Sequence, residues 1–285
     1  MTPVAVVIIT RDRAEELLRT LDRLRALPER PEIVVVDQGS GDGAVWRVRA
    51  RFPDVRVIEL GENRGAAGRT IGARAVRAPF VAFADDDSWW APGALDRAAT
   101  CLERHPHVGL VAGRVLLGRE EALDPACAAM AASPLGEPAD VPGRRVLGFV
   151  ACGAMVRRAA FLGVGGFHPR LGIGGEEQLL AADLAARGWL LVYDEDVVAY
   201  HHPSPVRDRG RRRALQFRND LWFAWLRRAR PRATRVTQRT ARAAFHDPAA
   251  RAGLLGALQG FRWVPQQRRP VPAWLEADFA RLDPA

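Results

Sequence analysis

The sequence predicts an α/β protein: a Rossmann-like, mostly parallel sheet flanked by helices, with a C-terminal helical extension. Three observations predict it. Four short apolar runs, each of strand length, alternate with helical patterns over the first 85 or so residues. That rhythm is the mark of a parallel sheet with crossover helices. Polar, acidic and glycine residues gather just after each run, where ligands bind in open α/β sheets. Beyond Pro205 the composition turns basic and aromatic, with near-helical spacing.

The elements follow in order. Residues 4–9, VAVVII, read as a buried strand. Residues 14–27 place Leu17, Leu18, Leu21, Leu24 and Leu27 on one helical face, and Pro28 and Pro31 end that helix. EIVVVD is the second strand, ending at Asp37, and residues 44–52 the second helix. VRVIEL at 55–60 is the third strand, and a helix follows over 69–76. FVAFA is the fourth strand and delivers Asp85, Asp86 and Asp87. A helix at 94–104 and a strand at 108–117 come next, then a Pro-, Ala- and Gly-rich loop with a short helix over 120–145. VLGFVACGAMVRR reads as a strand and AAFLGVGGF as a short helix. GGEEQLLAADLAARG is a helix with Glu176 and Glu177 in its first turn, and WLLVYDEDVVAYHH holds two short strands.

Composition excludes several classes. The chain has no lysine, which removes Schiff-base chemistry and the lysine-bearing phosphate loop. Its net charge of +9 is carried by arginine, whose fork suits phosphate, and favours polyanionic partners. Three widely spaced cysteines argue against a disulfide framework or zinc cluster. The longest apolar runs fall far short of the roughly 20 residues of a membrane span. Strand-like residues start at Val4 with no basic-apolar-small pattern before them, so a signal peptide is not expected. The expected location is the cytoplasm, or peripherally the inner face of the membrane. No nucleic-acid-binding signature is present.

Chemistry-bearing residues fall at the strand ends. In extended chain, residues i and i+2 point the same way roughly 6.6 Å apart, so Asp85 and Asp87 can face one hard cation, Mg²⁺ or Mn²⁺, with Asp86 turned aside. The competing reading is that Asp87 or Ser88 caps the next helix. Asp37 can accept from a base or ribose donor, while Arg13, Arg64 and Arg69 can meet phosphate. Gly65 and Gly68 can let backbone approach a ligand. Each also has a purely structural reading as a cap, a turn or a solvated charge.

In their order and spacing, VAVVIITRDR, VVVDQGSGDG, ENRGAAGRTIGARAV, FVAFADDDSWW and the segment from GFVACGAMVRR to DEDVVAYHH resemble the family-2 glycosyltransferases. The resemblance covers roughly residues 3–204. It implies the GT-A fold and inverting sugar transfer from a nucleotide-activated donor: a UDP-sugar first, dTDP- or GDP-sugars otherwise. By position it places Thr10 and Arg13 in the first nucleotide loop, Asp37 on the base, and Arg69 along the nucleotide. The reading of the residues themselves adds Arg64, Gly65 and Asp86 to the donor-binding set beside Asp85, with Asp86 the most expendable of the three aspartates. Asp85 and Asp87 match the DxD motif, and His201 completes the metal site, with His202 beside it as the alternative. Glu177 stands where the family usually carries aspartate as base, and Glu176 is the fallback. The implied organisation is a GT-A domain over 1–205, with a nucleotide-binding half to about residue 90 and an acceptor half over 91–205. A basic, mainly helical extension spans 206–285.

Two other functions compete. A nucleotidyltransferase shares the layered design, but TRDR lacks the glycine-rich phosphate loop it prefers. A non-catalytic sugar-nucleotide-binding protein would not need Asp85, Asp87, Glu177 and His201 together. The acceptor is left open among a saccharide, a lipid-linked sugar and a natural product. The basic segment 206–230, with Trp222, Trp225 and Leu226, either packs on the catalytic domain or lies on an anionic membrane. Residues 240–285 would form an acceptor lid or a homodimer contact.

Overall fold

The computed structural model describes residues 3–203 and 209–283. The first half is β1 (Val4–Thr10), α1 (Ala14–Arg25), β2 (Glu32–Asp37), α2 (Ala44–Arg51), β3 (Arg56–Glu59), α3 (Ala67–Ala75) and β4 (Phe80–Asp85). Then come β5 (Ser88–Trp90), α4 (Ala94–Arg104), β6 (Val108–Leu117), β7 (Ala122–Leu123), α5 (Pro125–Ala131) and β8 (Arg144–Arg145). A 3₁₀ turn (Ala151–Gly153) leads into β9 (Ala154–Arg157), α6 (Arg158–Gly163), α7 (Glu176–Ala186) and β10 (Leu190–His201). The C-terminal helices are α8 (Arg209–Arg227), α9 (Arg230–Ala243), α10 (Pro248–Leu258), α11 (Val264–Gln267) and α12 (Ala273–Leu282).

The strands form one mixed sheet in the order β3-β2-β1-β4-β9-β6-β10-β5, with β7 paired to β6 and β8 to β10. The first four strands are parallel, and β9 and β5 enter antiparallel. Every residue of β1 is buried, and they alternate between two cores: Val4, Val6 and Ile8 on one face, Ala5, Val7 and Ile9 on the other. Helix α1 covers the first face with Leu17, Leu21 and Leu24, each fully buried and worth about 1.5–3 kcal/mol. A Phe83, Phe161 and Phe167 cluster fills the other, with ring centroids 5.3–5.7 Å apart. Register decides the site. Thr10 pairs with Asp37 and Ile9 with Asp85, so three strand ends deliver their polar residues to one edge.

Three expectations are corrected. No helix cap forms at Asp87 or Ser88: Ser88, Trp89 and Trp90 are β5, paired to β10, and α4 begins after Gly93. Residues 190–201 are one strand, not two. The DED segment is a bulge between Asp194 and Val198, held by Arg97, whose guanidinium grips Asp194 at 2.8 and 3.1 Å. Gly113 makes room for it, because a Cβ there would lie 2.3 Å from the Val197 carbonyl oxygen. The expected strand at 146–158 shortens to β9, since the chain before it turns through the 3₁₀ segment.

The aromatic face of α8 is packed inward. Trp222 and Leu226 are buried, and Trp225 Nε1 donates to Thr237 Oγ1 at 2.8 Å. Residues 206–208 of the basic segment lie outside the described residues. No helix among the described residues is long and apolar enough to cross a membrane.

Candidate functional site

A cleft of about 430 Å³ opens over the edge where β1, β2 and β4 end. Thr10, Arg13, Arg69, Asp85, Asp86, Asp87 and His201 all line it. The three aspartates are held differently. Asp85 is bound by the Arg69 guanidinium. Asp86 is drawn inward: its carboxylate accepts from Thr10 Oγ1 at 3.1 Å and Arg13 Nη1 at 3.3 Å, and its carbonyl accepts from Thr20 Oγ1 at 2.8 Å. Burial pushes the Asp86 carboxyl up to about 7, against the pull of Arg13. Asp87 accepts from Arg13 Nη1 at 3.1 Å and lies 3.2 Å from His201 Nε2. The β5–β10 pairing sets that last contact, because it places His201 opposite Ser88.

Two groups in this region keep hydrogen-bonding atoms that the protein itself does not use. Arg69 is 3% exposed, and its Nε and Nη1 make no hydrogen bond within the protein. It lies 5.6 Å from the Phe167 ring centroid. Burial opposes its charge, yet Asp85, Glu176 and Glu177 more than offset that and raise its pKa. A buried guanidinium with free donors is suited to phosphate oxygens. Asp37 spends Oδ2 on the backbone N–H groups of Gly39 and Ser40, both at 3.1 Å, while its buried Oδ1 has no hydrogen-bond partner. An acceptor in that state is costly unless water or a ligand donor meets it.

A second cavity of about 680 Å³ lies between α5, α7 and the C-terminal helices. Glu177 lines it, and Ile173 and Arg212 border both cavities. Glu176 turns inward instead: it is 2% exposed, and its carboxylate accepts from the Gly174 N–H. Burial and the neighbouring Glu177 push the Glu176 carboxyl up to about 8, and burial raises Glu177 as well. The loop before α7 is fixed from the C-terminal extension. Asn219, fully buried on α8, donates to the carbonyls of Leu171 at 2.9 Å and Gly174 at 2.5 Å.

Two expected donor-site residues sit elsewhere. Arg64 is paired with Glu62 at 2.5 Å and lines a separate cavity. Gly65, at φ +55°, lets its loop close on Gly172. Sequence reasoning missed Asn219, Arg212 and Cys152. One ligand atom each from Asp85, Cys152 and His201 fall within 4.8 Å of one another. A polar Asn inside the apolar stripe of α8 was a readable signal; Cys152 gave none.

Residues 5–164 match the family model described as Glycosyl transferase family 2. The chain belongs to this family. It is a glycosyltransferase that uses a nucleotide-sugar donor. An N-acetylglucosaminyl-diphospho-decaprenol L-rhamnosyltransferase of Mycobacterium tuberculosis is 28% identical over 231 residues, 69% of this chain and 75% of that protein. Among solved structures, a mannosyltransferase from Pyrobaculum calidifontis in complex with GDP-Man and Mn²⁺ has a TM-score of 0.62. It is 22% identical, covering 98% of this chain and 80% of that one. S. aureus TarS in complex with UDP-GlcNAc has a TM-score of 0.60 at 16% identity, over 91% of this chain and 73% of its own. These structures share the GT-A fold with the family-2 chain.

Proposed function

We propose that this family-2 glycosyltransferase is an inverting, metal-dependent enzyme that transfers a sugar from a nucleoside-diphosphate donor to a hydroxyl of a lipid-linked saccharide. The observation that carries it is the pair of abutting cavities, one walled by Asp85–Asp87 and Arg69, the other by Glu177. Asp87 and His201, with Asp85 beside them, are a donor set that fits Mg²⁺ or Mn²⁺ with positions left for phosphate oxygens. The bound cation supplies Lewis-acid charge to the departing diphosphate. Arg69 adds its two unpartnered nitrogens to the same phosphates, and Asp37 Oδ1 accepts from the base. A UDP-sugar is the first donor to test, with dTDP- and GDP-sugars beside it.

Glu177 acts on the acceptor side. A hydroxyl attacks only as a carboxylate removes its proton, and Glu177 faces the cavity where that hydroxyl would lie. Burial pushes the Glu176 carboxyl up to about 8 and raises Glu177 as well, while a hydrogen bond from Glu176 works against that rise at Glu177 and so favours its carboxylate as the proton acceptor. In this reading base and leaving group lie on opposite sides of the reacting carbon, as inversion requires. The acceptor cavity combines Met130, Leu147, Phe149, Phe223 and Phe279 with Arg212 and Arg239. That mixture suits a saccharide carried on a phosphate and an apolar chain, the class named in the mycobacterial relative. Residues 1–205 supply the transferase domain, and 206–285 the extension that closes this cavity.

The extension also supplies a surface for a membrane. Residues 206–285 carry 18 arginines against 6 acids, a net +12, while residues 1–205 carry 24 against 27, a net −3. Phe245, Leu255, Leu258 and Phe261 are 56–77% exposed around α10. Apolar side chains beside arginines favour an anionic bilayer.

Calorimetric titration of the full chain with UDP-, dTDP- and GDP-sugars, with and without Mn²⁺, tests the reading. Saturable binding of one class, strengthened by Mn²⁺, is expected. No binding of any class under either condition would overturn it.

A further inference from the structure

We propose that Asp85, Cys152 and His201 form a site for a thiophilic divalent cation, Zn²⁺ or Cd²⁺, at the floor of the donor cleft. The three residues come from unrelated elements: the end of β4, the 3₁₀ turn before β9, and the end of β10. Their ligand atoms nevertheless lie within 4.8 Å of one another, and no other such cluster forms among the described residues. For three points so spaced, a central position lies no more than about 2.8 Å from each, so a closure of roughly 0.5–0.8 Å gives Zn–S and Zn–N distances of about 2.3 and 2.0–2.1 Å.

The donor set distinguishes this site from the oxygen-rich DxD position. Sulfur and imidazole ligands select soft and borderline ions, whereas carboxylates alone suit Mg²⁺ and Mn²⁺. Cys152 is 2% exposed and forms no disulfide, so its sulfur lies just beneath Asp85 and His201, the two cleft-lining members of the cluster. Arg69 holds Oδ1 of Asp85, which leaves Oδ2 for a cation. Gly153 keeps the turn close to the sheet, because a Cβ there would lie 2.5 Å from Val115 Cγ2. The remaining thiols, Cys101 and Cys127, are buried without a carboxylate and histidine beside them. Binding releases the thiol proton to solvent and leaves a thiolate on the metal. A cation seated there shares Asp85 and His201 with the DxD position and differs from it by taking Cys152 in place of Asp87, so it excludes the hard ion.

The inference rests on the reading of this cleft as a cation site, yet it is tested without donor or acceptor. The full-length chain is titrated with Cd²⁺ alone, and the ultraviolet thiolate-to-cadmium charge-transfer band is followed. A saturable band is expected that survives Cys101→Ser and Cys127→Ser and is lost in both Cys152→Ser and Cys152→Ala. The variants' far-ultraviolet circular dichroism confirms that each is folded. Absence of the band from the natural chain, or its persistence without Cys152, would overturn the proposal. Failure of Mn²⁺-dependent donor binding would leave the band standing, so the two readings fail separately.

Discussion

Gly65 and Gly172 meet backbone to backbone. The Gly172 carbonyl accepts from the Ala66 N–H at 3.0 Å, and a Cβ on Gly65 would lie 2.6 Å from Gly172 Cα. This contact joins the turn after β3 to the loop that leads into α7, whose first turn carries Glu177. Gly65→Ala must either abandon its φ of +55° or push the loop away. It is expected to lose about 1–3 kcal/mol in chemical denaturation and to lower kcat, with donor affinity changed less. Unaltered stability and turnover would show that the contact is dispensable.

Asp86 and Asp87 are predicted to fail in different ways. The Asp86 carboxylate is held by Thr10 and Arg13, so Asp86→Ala leaves buried Thr10 Oγ1 without its acceptor, while Arg13 keeps Asp87. A stability loss of about 1–3 kcal/mol follows from that desolvated, unpaired state. Asp87→Ala instead removes the Mn²⁺ enhancement of donor binding. Paired denaturation and calorimetry on both variants separate anchor from ligand; an unchanged Mn²⁺ effect in Asp87→Ala would remove Asp87 from the metal site.

The chain order made most of this legible. The alternation of apolar runs and amphipathic helices announced the parallel half, and the residues after each run marked the strand ends that form the cleft. What stayed hidden depends on pairing between distant segments. Ser88–Trp90 is too short to show a strand period, and only β10 makes it one. Asn219 acts across 45 residues or more on a loop whose path no local pattern encodes. Cys152 belongs to an apolar stretch, and its nearness to Asp85 arises from sheet order alone.

The coupled glutamates give a pH signature of opposite sign for activity and stability. Burial raises both carboxyls, so transfer should fall with acidification while still above the ordinary carboxylate range. Glu176 is raised in the folded state to about 8 from 4.5. Its contribution to stability is therefore full below 4.5 and lost as pH rises through about 8. Glu176→Gln should accordingly gain melting temperature relative to the natural chain on going from mildly acidic to alkaline buffer. A constant difference across that range would contradict the assignment.

Asn219 is expected to act by positioning. Asn219→Ala frees the carbonyls of Leu171 and Gly174 and should cost about 1–3 kcal/mol. It should depress kcat more than it raises the KM for donor. Asn219→Gln is not expected to rescue, because Gly175 packs the adjacent space, where a Cβ would meet Cβ of Asn219 at 3.4 Å. An effect on stability alone, with kcat intact, would leave Asn219 as a packing residue.

The membrane surface makes a separate demand. Co-sedimentation with vesicles rich in anionic lipid should exceed that with neutral vesicles and fall with salt. Leu258→Asp combined with Phe261→Asp should reduce it without loss of the fold, since both side chains are more than half exposed. Equal binding of natural and substituted chains would place the contact elsewhere.

The central claim is that Glu177 is the base facing a donor held at Asp87. Glu177→Gln tests it most directly, with donor affinity and acceptor glycosylation measured on the same preparation. Donor affinity should be retained while transfer falls by about 10²–10⁴-fold. A Glu177→Gln enzyme that still turns over near the natural rate would contradict the account.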